Sequence, residues 1–196
     1  GTHTASEIVQ QPETWKKVWQ KVKAEKKQLT SFLNRVFDFD NLNVVLTGAG
    51  SSAFIGDVVS SGWLNAFSNP TQAIPTTDLV THLEQKIPTA KPLLLISFGR
   101  SGNSPESIAA IERAERFCTD LFHLIITCNP DGKLAKLENR DNSYVFLLPP
   151  ETEDKSLAMT NSFTSMALAA TLIPKIYAGD TEIVDSDIEE LVTVGH

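Results

Sequence analysis

Two short segments of this sequence combine glycine and serine in a way that suits phosphate chemistry. They are GAGSS at residues 48–52 and GRSGNS at residues 99–104. Glycines let a backbone approach a ligand closely, and serine hydroxyls are short donors that rotate toward phosphate oxygens. An arginine can add a charged fork of N–H donors. The groups that could hold a phosphate are Gly50, Ser51, Ser52, Arg100, Ser101, Asn103 and Ser104.

The same residues also have an ordinary structural interpretation, because Ser104-Pro105-Glu106 is a common helix start. It offers a serine cap, a proline in the first turn and an acid that complements the helix dipole. A single loop of this kind would favour a helix cap without a ligand. Two such loops, each following a strand of the same sheet, favour a ligand site. GAGSSAFIG is not a dinucleotide fingerprint, since Ala53 takes the place of the last glycine. The sequence also has no Walker-type Gly-Lys-Ser/Thr motif.

The elements that position these loops are short apolar runs alternating with helical patterns. The runs predicted as strands are 43–47, 72–77, 92–98, 121–128 and 144–148. Continuous apolar strands separated by helices are typical of a parallel sheet covered on both faces. The sequence therefore predicts an α/β fold, a three-layer αβα sandwich with a five-stranded parallel sheet. In such open sheets ligands bind beyond the carboxyl ends of the strands, where both loops are expected.

The rest of the chain is predicted to be mainly helical. Residues 6–36 carry apolar side chains at helical spacing, and Pro12 is expected to divide a short helix from a longer one. A long apolar helix is predicted over 160–177. We expect a helical extension over 1–40, an α/β domain over 41–178, and an acidic linker over 179–196 with one or two further helical turns.

Composition excludes several classes of protein. The net charge of −7 argues against non-specific nucleic-acid binding. No apolar run approaches the roughly 18 residues of a membrane span. Two cysteines and four histidines, scattered along the chain, indicate neither a disulfide framework nor a zinc site. We expect a cytoplasmic protein that needs no metal or cofactor, in which Cys128 is a buried thiol.

Four segments together resemble the sugar isomerase (SIS) domain, and in particular the N-terminal SIS domain of the AgaS family. They are LTGAGSSAFIGD, SFGRSGNSPES, CNPDGKLA and MTNSFTSM. The resemblance extends over essentially the whole chain and implies the same α/β fold, preceded by N-terminal helices. It also implies a tagatose-6-phosphate ketose/aldose isomerase or galactosamine-6-phosphate deaminase in amino-sugar catabolism. The implied substrate is a hexose 6-phosphate or an amino-hexose 6-phosphate.

The resemblance carries binding roles onto particular residues of this chain. Ser51 and Ser52 match the first substrate loop, and Ser101, Asn103 and Ser104 match the loop that holds the sugar phosphate. The stretch from Ser156 to Thr160 matches a third substrate-facing wall more weakly. Arg100 stands where relatives often carry glutamine, so a ligand contact and a structural ion pair are equally open.

Members of this family carry two SIS domains, and the chain contains one. The resemblance therefore implies a second SIS domain and a homodimer or higher homo-oligomer. We expect the helix carrying Trp15 and Trp19, and the helix over 160–177, to be the surfaces that meet the missing half or a partner chain. In relatives, the groups that move protons tend to come from the second domain or a neighbouring subunit.

Isomerisation needs a base that carries a proton between C1 and C2 and an acid that opens the ring. No residue of this chain is assigned to either role. The candidates considered are Glu106, His82, His123, Glu151, Glu153 and Asp154. Glu106 is expected to complement the helix dipole, His82 to be a surface residue, and His123 to be a hydrogen-bonded core residue.

Two other functions stay open. The domain could be a sugar-phosphate sensor of the kind found in transcription regulators, although residues 1–40 show no clear helix-turn-helix. It could also be a complete single-domain isomerase of the phosphoheptose type, which has a similar length. That second alternative requires the catalytic acid and base to lie within these 196 residues.

Overall fold

A computed structural model describes residues 2–195, apart from the side chains of Asn139 and Ile183. Within them, the α-helices are α1 Thr2–Val9, α2 Gln11–Ala24, α3 Lys26–Phe37, α4 Ala53–Phe67, α5 Thr76–Lys86, α6 Pro105–Phe117, α7 Asn161–Ala178 and α8 Thr181–Gly195. Short 3-10 helices span Gly50–Ser52, Ala135–Asn139 and Pro150–Thr152. The strands are β1 Asn43–Gly48, β2 Thr71–Ala73, β3 Leu93–Gly99, β4 Leu121–Thr127 and β5 Ser143–Leu147. None of the described helices is long and apolar enough to cross a bilayer.

The five strands form one sheet in the order β2-β1-β3-β4-β5, and every pair is parallel. Every residue of β1 and β3 is buried, because helices cover both faces of the sheet. The predicted α/β sandwich with a five-stranded parallel sheet is thereby confirmed. The second strand is shorter than expected: it ends at Ala73, and α5 begins at Thr76 directly after Pro75.

The helices divide between the two faces of the sheet. On one face α2, α3, α4 and α7 pack over the strands around side chains such as Leu46 and Ile96. On the other face α5 and α6 pack over side chains such as Val45 and Leu95. Helices α2 and α3 of the N-terminal segment are therefore part of the larger core.

Helix α7 keeps a proline in its interior because another helix replaces the hydrogen bond that the proline cannot make. Pro174 has no N–H to donate to the carbonyl of Ala170, four residues earlier. The indole nitrogen of Trp63 on α4 donates to that carbonyl at 2.9 Å. This bond joins α4 to α7 within the core.

Both ends of the chain differ in detail from the expectation. The N-terminal segment breaks at Gln10, just before Pro12, and again at Glu25, where no proline or glycine marks a break. At the other end, Gly179 ends α7 in a left-handed conformation, but residues 181–195 form the four-turn helix α8. The expectation of only one or two helical turns in 179–196 was wrong, because Val184, Ile188 and Val192 form an apolar face that packs with α2.

Candidate functional site

The candidate site lies at the carboxyl ends of β1 and β3, which are neighbours in the sheet. The chain leaves β1 into α4 on one face of the sheet and leaves β3 into α6 on the other face. At such a switch point the two connections of an open parallel sheet diverge and leave a crevice, and this is where these sheets bind ligands.

The first loop turns sharply from β1 into α4. Gly50 has a φ of +55°, in the left-handed region, and Gly48 lies so close to Ser52 that an added Cβ would be 2.5 Å from its carbonyl carbon. Ser51 is exposed, whereas Ser52 is buried and its hydroxyl lies 3.8 Å from the sulfur of Met159. Of the two predicted serines, Ser51 therefore lies at the surface and Ser52 points inward.

The second loop leaves the start of α6 without a side-chain cap, although Ser104 occupies the N-cap position. The Ser104 hydroxyl lies 2.6 Å from the Ser107 hydroxyl, and no side chain of the described chain caps the helix start. Nor does α4 have a side-chain cap. Unpaired N–H groups at a helix start, together with the helix dipole, attract anions. The starts of the two helices on either side of the switch point are therefore candidate anion sites, although the N–H of Ala53, the first residue of α4, already donates to the Gly50 carbonyl.

Asn103 and Ser101 shape the second loop from within. The Asn103 side-chain oxygen accepts from the backbone N–H of Lys133 at 3.0 Å, and the Ser101 hydroxyl oxygen accepts from the backbone N–H of Asn103 at 3.3 Å. Asn103 thus holds the loop to its neighbour through its oxygen. Ser101 is exposed at the crevice.

A fourth segment supports the site, and residue types alone assigned it no role. The loop after β4 packs against the second loop, where the N–H of Leu134 donates to the carbonyl of Gly102 at 3.0 Å. A Cβ on Gly132 would lie 2.5 Å from the carbonyl oxygen of Ser101. In the sequence, Gly102 and Gly132 were the residues that could have indicated this close contact between the two loops. The segment CNPDGKLA carried the family resemblance for this loop.

The third loop presents a carboxylate, Asp154, to the first turn of α7. Asp154 is only 7% exposed, and its oxygens accept from the backbone N–H groups of Thr160 at 2.9 Å, Asn161 at 3.2 Å and Ser162 at 2.9 Å. It also accepts from the Ser162 hydroxyl at 2.5 Å and lies 3.4 Å from the Thr160 hydroxyl. The anion position at this helix start is therefore filled by the protein itself, and the predicted site residue Thr160 contributes to that internal cap.

Ser156 and Arg100 join the second and third loops. The Arg100 guanidinium donates from Nη1 to the Ser156 carbonyl oxygen at 2.7 Å. The two roles left open for Arg100 were a ligand contact and a structural ion pair. The observed contact is structural, but it is a hydrogen bond to a carbonyl and not an ion pair with a carboxylate. The guanidinium therefore lies between two loops at the edge of the crevice.

The considered acid and base candidates are dispersed. Glu106 is exposed in the first turn of α6, as expected, and His82 is exposed at a kink in α5. Glu151 pairs with Lys17, whose hydrogen bond holds the pKa of that carboxyl below its ordinary value. Asp154 is committed to α7, and Glu153 is exposed on the third loop.

His123 corrects one expectation. It is buried in β4, as expected, but neither ring nitrogen has a hydrogen-bond partner among the described residues. Nε2 lies 3.7 Å from the Glu115 carboxylate, which is paired with Arg140. Burial, with a smaller effect of the Arg140 charge, lowers the pKa of His123 to about 4. His123 lies four positions before Thr127, the last residue of β4, and is therefore away from the candidate site.

Fold and site together define an α/β protein with two loops rich in glycine and serine at the switch point of a parallel sheet. The SIS domain family model matches residues 39–173. The chain belongs to the SIS domain family.

Curated relatives and a solved structure extend this result. The chain is 43% identical to D-galactosamine-6-phosphate deaminase AgaS of Escherichia coli over all of its length and 52% of that protein. It is 46% identical to the protein of the same name from Shewanella sp. strain ANA-3, over 87% of this chain and 45% of that one. The crystal structure of tagatose-6-phosphate ketose/aldose isomerase from Escherichia coli superposes with a TM-score of 0.89 at 40% identity, over 99% of this chain and 53% of that chain. The chain thus spans about half the length of these relatives.

Proposed function

We propose that this chain is the sugar-phosphate-binding SIS domain of an isomerase or deaminase that acts on tagatose 6-phosphate or galactosamine 6-phosphate. The observation that carries the proposal is the pair of helix starts, α4 and α6, that flank the crevice without side-chain caps. The names of the relatives supply the substrate class.

In this proposal the phosphate lies against the first turn of α6. Ser101 and Ser104 supply hydroxyls there, and the N–H groups of the turn supply dipole-assisted donors. Ser51 approaches from the first loop. The start of α7 is excluded as a phosphate site, because the Asp154 carboxylate already accepts its N–H groups and would repel a second anion.

The test is calorimetric titration of the chain with galactosamine 6-phosphate and tagatose 6-phosphate. Ser51→Ala combined with Ser104→Ala should weaken binding at least about tenfold, since two hydrogen bonds to a charged group are lost. The matched control is Ser31→Ala with Ser186→Ala, two exposed serines on α3 and α8. Unchanged affinity in the first pair of substitutions would show that the phosphate binds elsewhere.

We further propose that a second SIS domain, in the same chain or in a second copy, covers an apolar stripe on α4. Phe54 is 63% exposed and Val58 is 62% exposed, one helical turn apart. A groove of about 390 Å³ between α4 and α7 continues the stripe past Pro174. Of the two expected surfaces, the helix carrying Trp19 is less suitable, because Trp19 is buried beside α8. The expected helix α7 takes part through the residues that line this groove. In sedimentation experiments Phe54→Glu should show weaker self-association than Val194→Glu, which changes an exposed position of α8.

We also propose that the protein is located in the cytoplasm. Cys118 and Cys128 are free and buried, and burial raises the pKa of the Cys128 thiol to about 12. Unreactive, unpaired thiols suit a reducing compartment.

A further inference from the structure

Ser156, on the third loop, uses its backbone N–H, its hydroxyl and its carbonyl oxygen in hydrogen bonds to other residues. Its backbone N–H donates to Oε1 of Glu7 at 3.1 Å, and its hydroxyl contacts Oε2 of the same carboxylate and the Ala158 carbonyl at 2.8 Å. Its carbonyl oxygen accepts from Arg100. A single loop residue therefore connects helix α1 to the loop after β3.

Glu7 is held as a buried carboxylate. It is only 6% exposed, and Oε1 also accepts from the backbone N–H of Lys155 at 2.7 Å. Burial alone would raise its pKa, but the hydrogen bonds from Ser156 and Lys155 outweigh it and hold the pKa below its ordinary value. Glu7 thus stays charged at neutral pH and draws these donors toward α1.

Arg100 is the only cation in the loop over 99–104. A guanidinium has five N–H donors in a rigid plane, and the bond to Ser156 fixes that plane through one of them. The side chain thereby extends from the second loop toward the third, across the edge of the crevice. A guanidinium fixed in this way loses less side-chain entropy when it binds an anion.

We propose that Glu7 is a positioning residue of the substrate site, which acts through Ser156 to hold the Arg100 guanidinium against the phosphate of the ligand. The N-terminal helix α1 then sets the affinity for the anion, although it contributes no group to the crevice. This inference rests on the proposed phosphate site at α6.

The experiment is a double-mutant cycle on phosphate binding. Glu7→Gln keeps the shape of the side chain and removes its charge, and Arg100→Lys keeps the charge but loses the planar fork. Inorganic phosphate and galactosamine 6-phosphate are titrated into the wild type, both single variants and the double variant. The free energy of unfolding is measured for each in urea. Glu151→Gln is the matched control, because it removes the ion pair between Lys17 of α2 and Glu151 of this region without touching Ser156.

We expect Glu7→Gln to weaken binding of both ligands about tenfold, and by less than about twofold when Arg100 is already lysine. Ser156→Ala keeps the backbone hydrogen bonds to Glu7 and from Arg100, so it should lower the affinity less than Glu7→Gln does. It replaces Glu7→Gln in the cycle if that variant folds poorly. The positioning role would be overturned if Glu7→Gln lowered the affinity equally in the wild type and in Arg100→Lys, or if Glu151→Gln caused the same loss of affinity. Either result would leave the proposed phosphate site intact. Failure of the wild type to bind either ligand would overturn both proposals.

Discussion

The Asp154 carboxylate accepts from both the backbone N–H and the hydroxyl of Ser162, at 2.9 and 2.5 Å, and so caps α7 from a loop eight residues upstream. The helices that begin near the carboxyl edge of the sheet include α7 and the two that flank the switch point, α4 and α6. Among these three described helix starts, the protein fills the anion position of only α7 with its own carboxylate. That difference separates a structural helix start from two candidate ligand sites.

Replacing Asp154 should therefore cost stability. Asp154→Asn leaves one acceptor oxygen and directs an amide N–H₂ toward donors, so the free energy of unfolding should fall by about 2 kcal/mol. Urea unfolding followed by circular dichroism measures the change. Asp57→Asn, at an exposed position on α4, is the control and should change the free energy of unfolding by less than about 0.5 kcal/mol. Equal stabilities of the two variants would contradict the capping role.

The contact between Gly132 and the second loop predicts a binding defect. In Gly132→Ala the new Cβ would lie 2.5 Å from the Ser101 carbonyl oxygen, so the second loop must move. Phosphate-ester affinity should fall roughly tenfold, because a small misplacement at a binding loop is costly. Calorimetry gives the affinity.

The control for this prediction is Gly62→Ala, in the middle of α4. Among the described atoms, none lies within 4 Å of its added Cβ. This substitution should leave affinity unchanged and raise the free energy of unfolding by about 0.5–1 kcal/mol, since alanine favours a helix over glycine. A loss of affinity in both variants would point to a general effect on folding.

Two buried threonine hydroxyls on the same face of the sheet should respond in opposite ways to valine. Thr127 donates to the Gly99 carbonyl at 2.6 Å, whereas the Thr47 hydroxyl has no partner in the described part of the chain. Thr127→Val should lower the free energy of unfolding by about 1 kcal/mol, and Thr47→Val should leave it equal or raise it by up to about 1 kcal/mol. Thermal or urea unfolding of the pair distinguishes the two. A large loss in Thr47→Val would mean that its hydroxyl is hydrogen-bonded after all.

His123 predicts a pH dependence of stability. Its pKa is about 4 in the folded chain against an ordinary value of 6.5, so the unfolded chain binds more protons between these two pH values. The free energy of unfolding should therefore fall as the pH drops from about 6.5 toward 4, and this one group accounts for about 3 kcal/mol of that loss. His123→Leu removes the titrating ring.

The measurement is the free energy of unfolding at pH 7 and at pH 4.5 for both proteins. The difference between the wild type and His123→Leu isolates the histidine from the carboxylates, which titrate in the same range. The variant should lose less stability on acidification. Parallel pH profiles would show that His123 is protonated as easily in the folded chain as in the unfolded one. His82→Leu, at an exposed ring, tests whether the loss of any histidine has the same effect.

The amino-acid sequence by itself determined the layered architecture and the location of the candidate site. Continuous apolar runs must be buried on both faces, so β1, β3 and β4 could be predicted to within a residue or two at each end. Glycines and serines directly after β1 and β3 then placed the candidate anion-binding loops side by side, because parallel strands bring their carboxyl ends to one edge. These inferences need only local pattern and the geometry of parallel sheets.

The tertiary structure decided which of these groups are available to a ligand. Ser52 turns inward, Asn103 binds the loop after β4, and Thr160 serves the Asp154 cap, although each has the residue type of a binding group. The structure also brought Glu7 to Ser156, 149 positions along the chain. Spacing in a sequence carries no information about such distant pairs, because only the packing of α1 against the third loop puts donor and acceptor within reach.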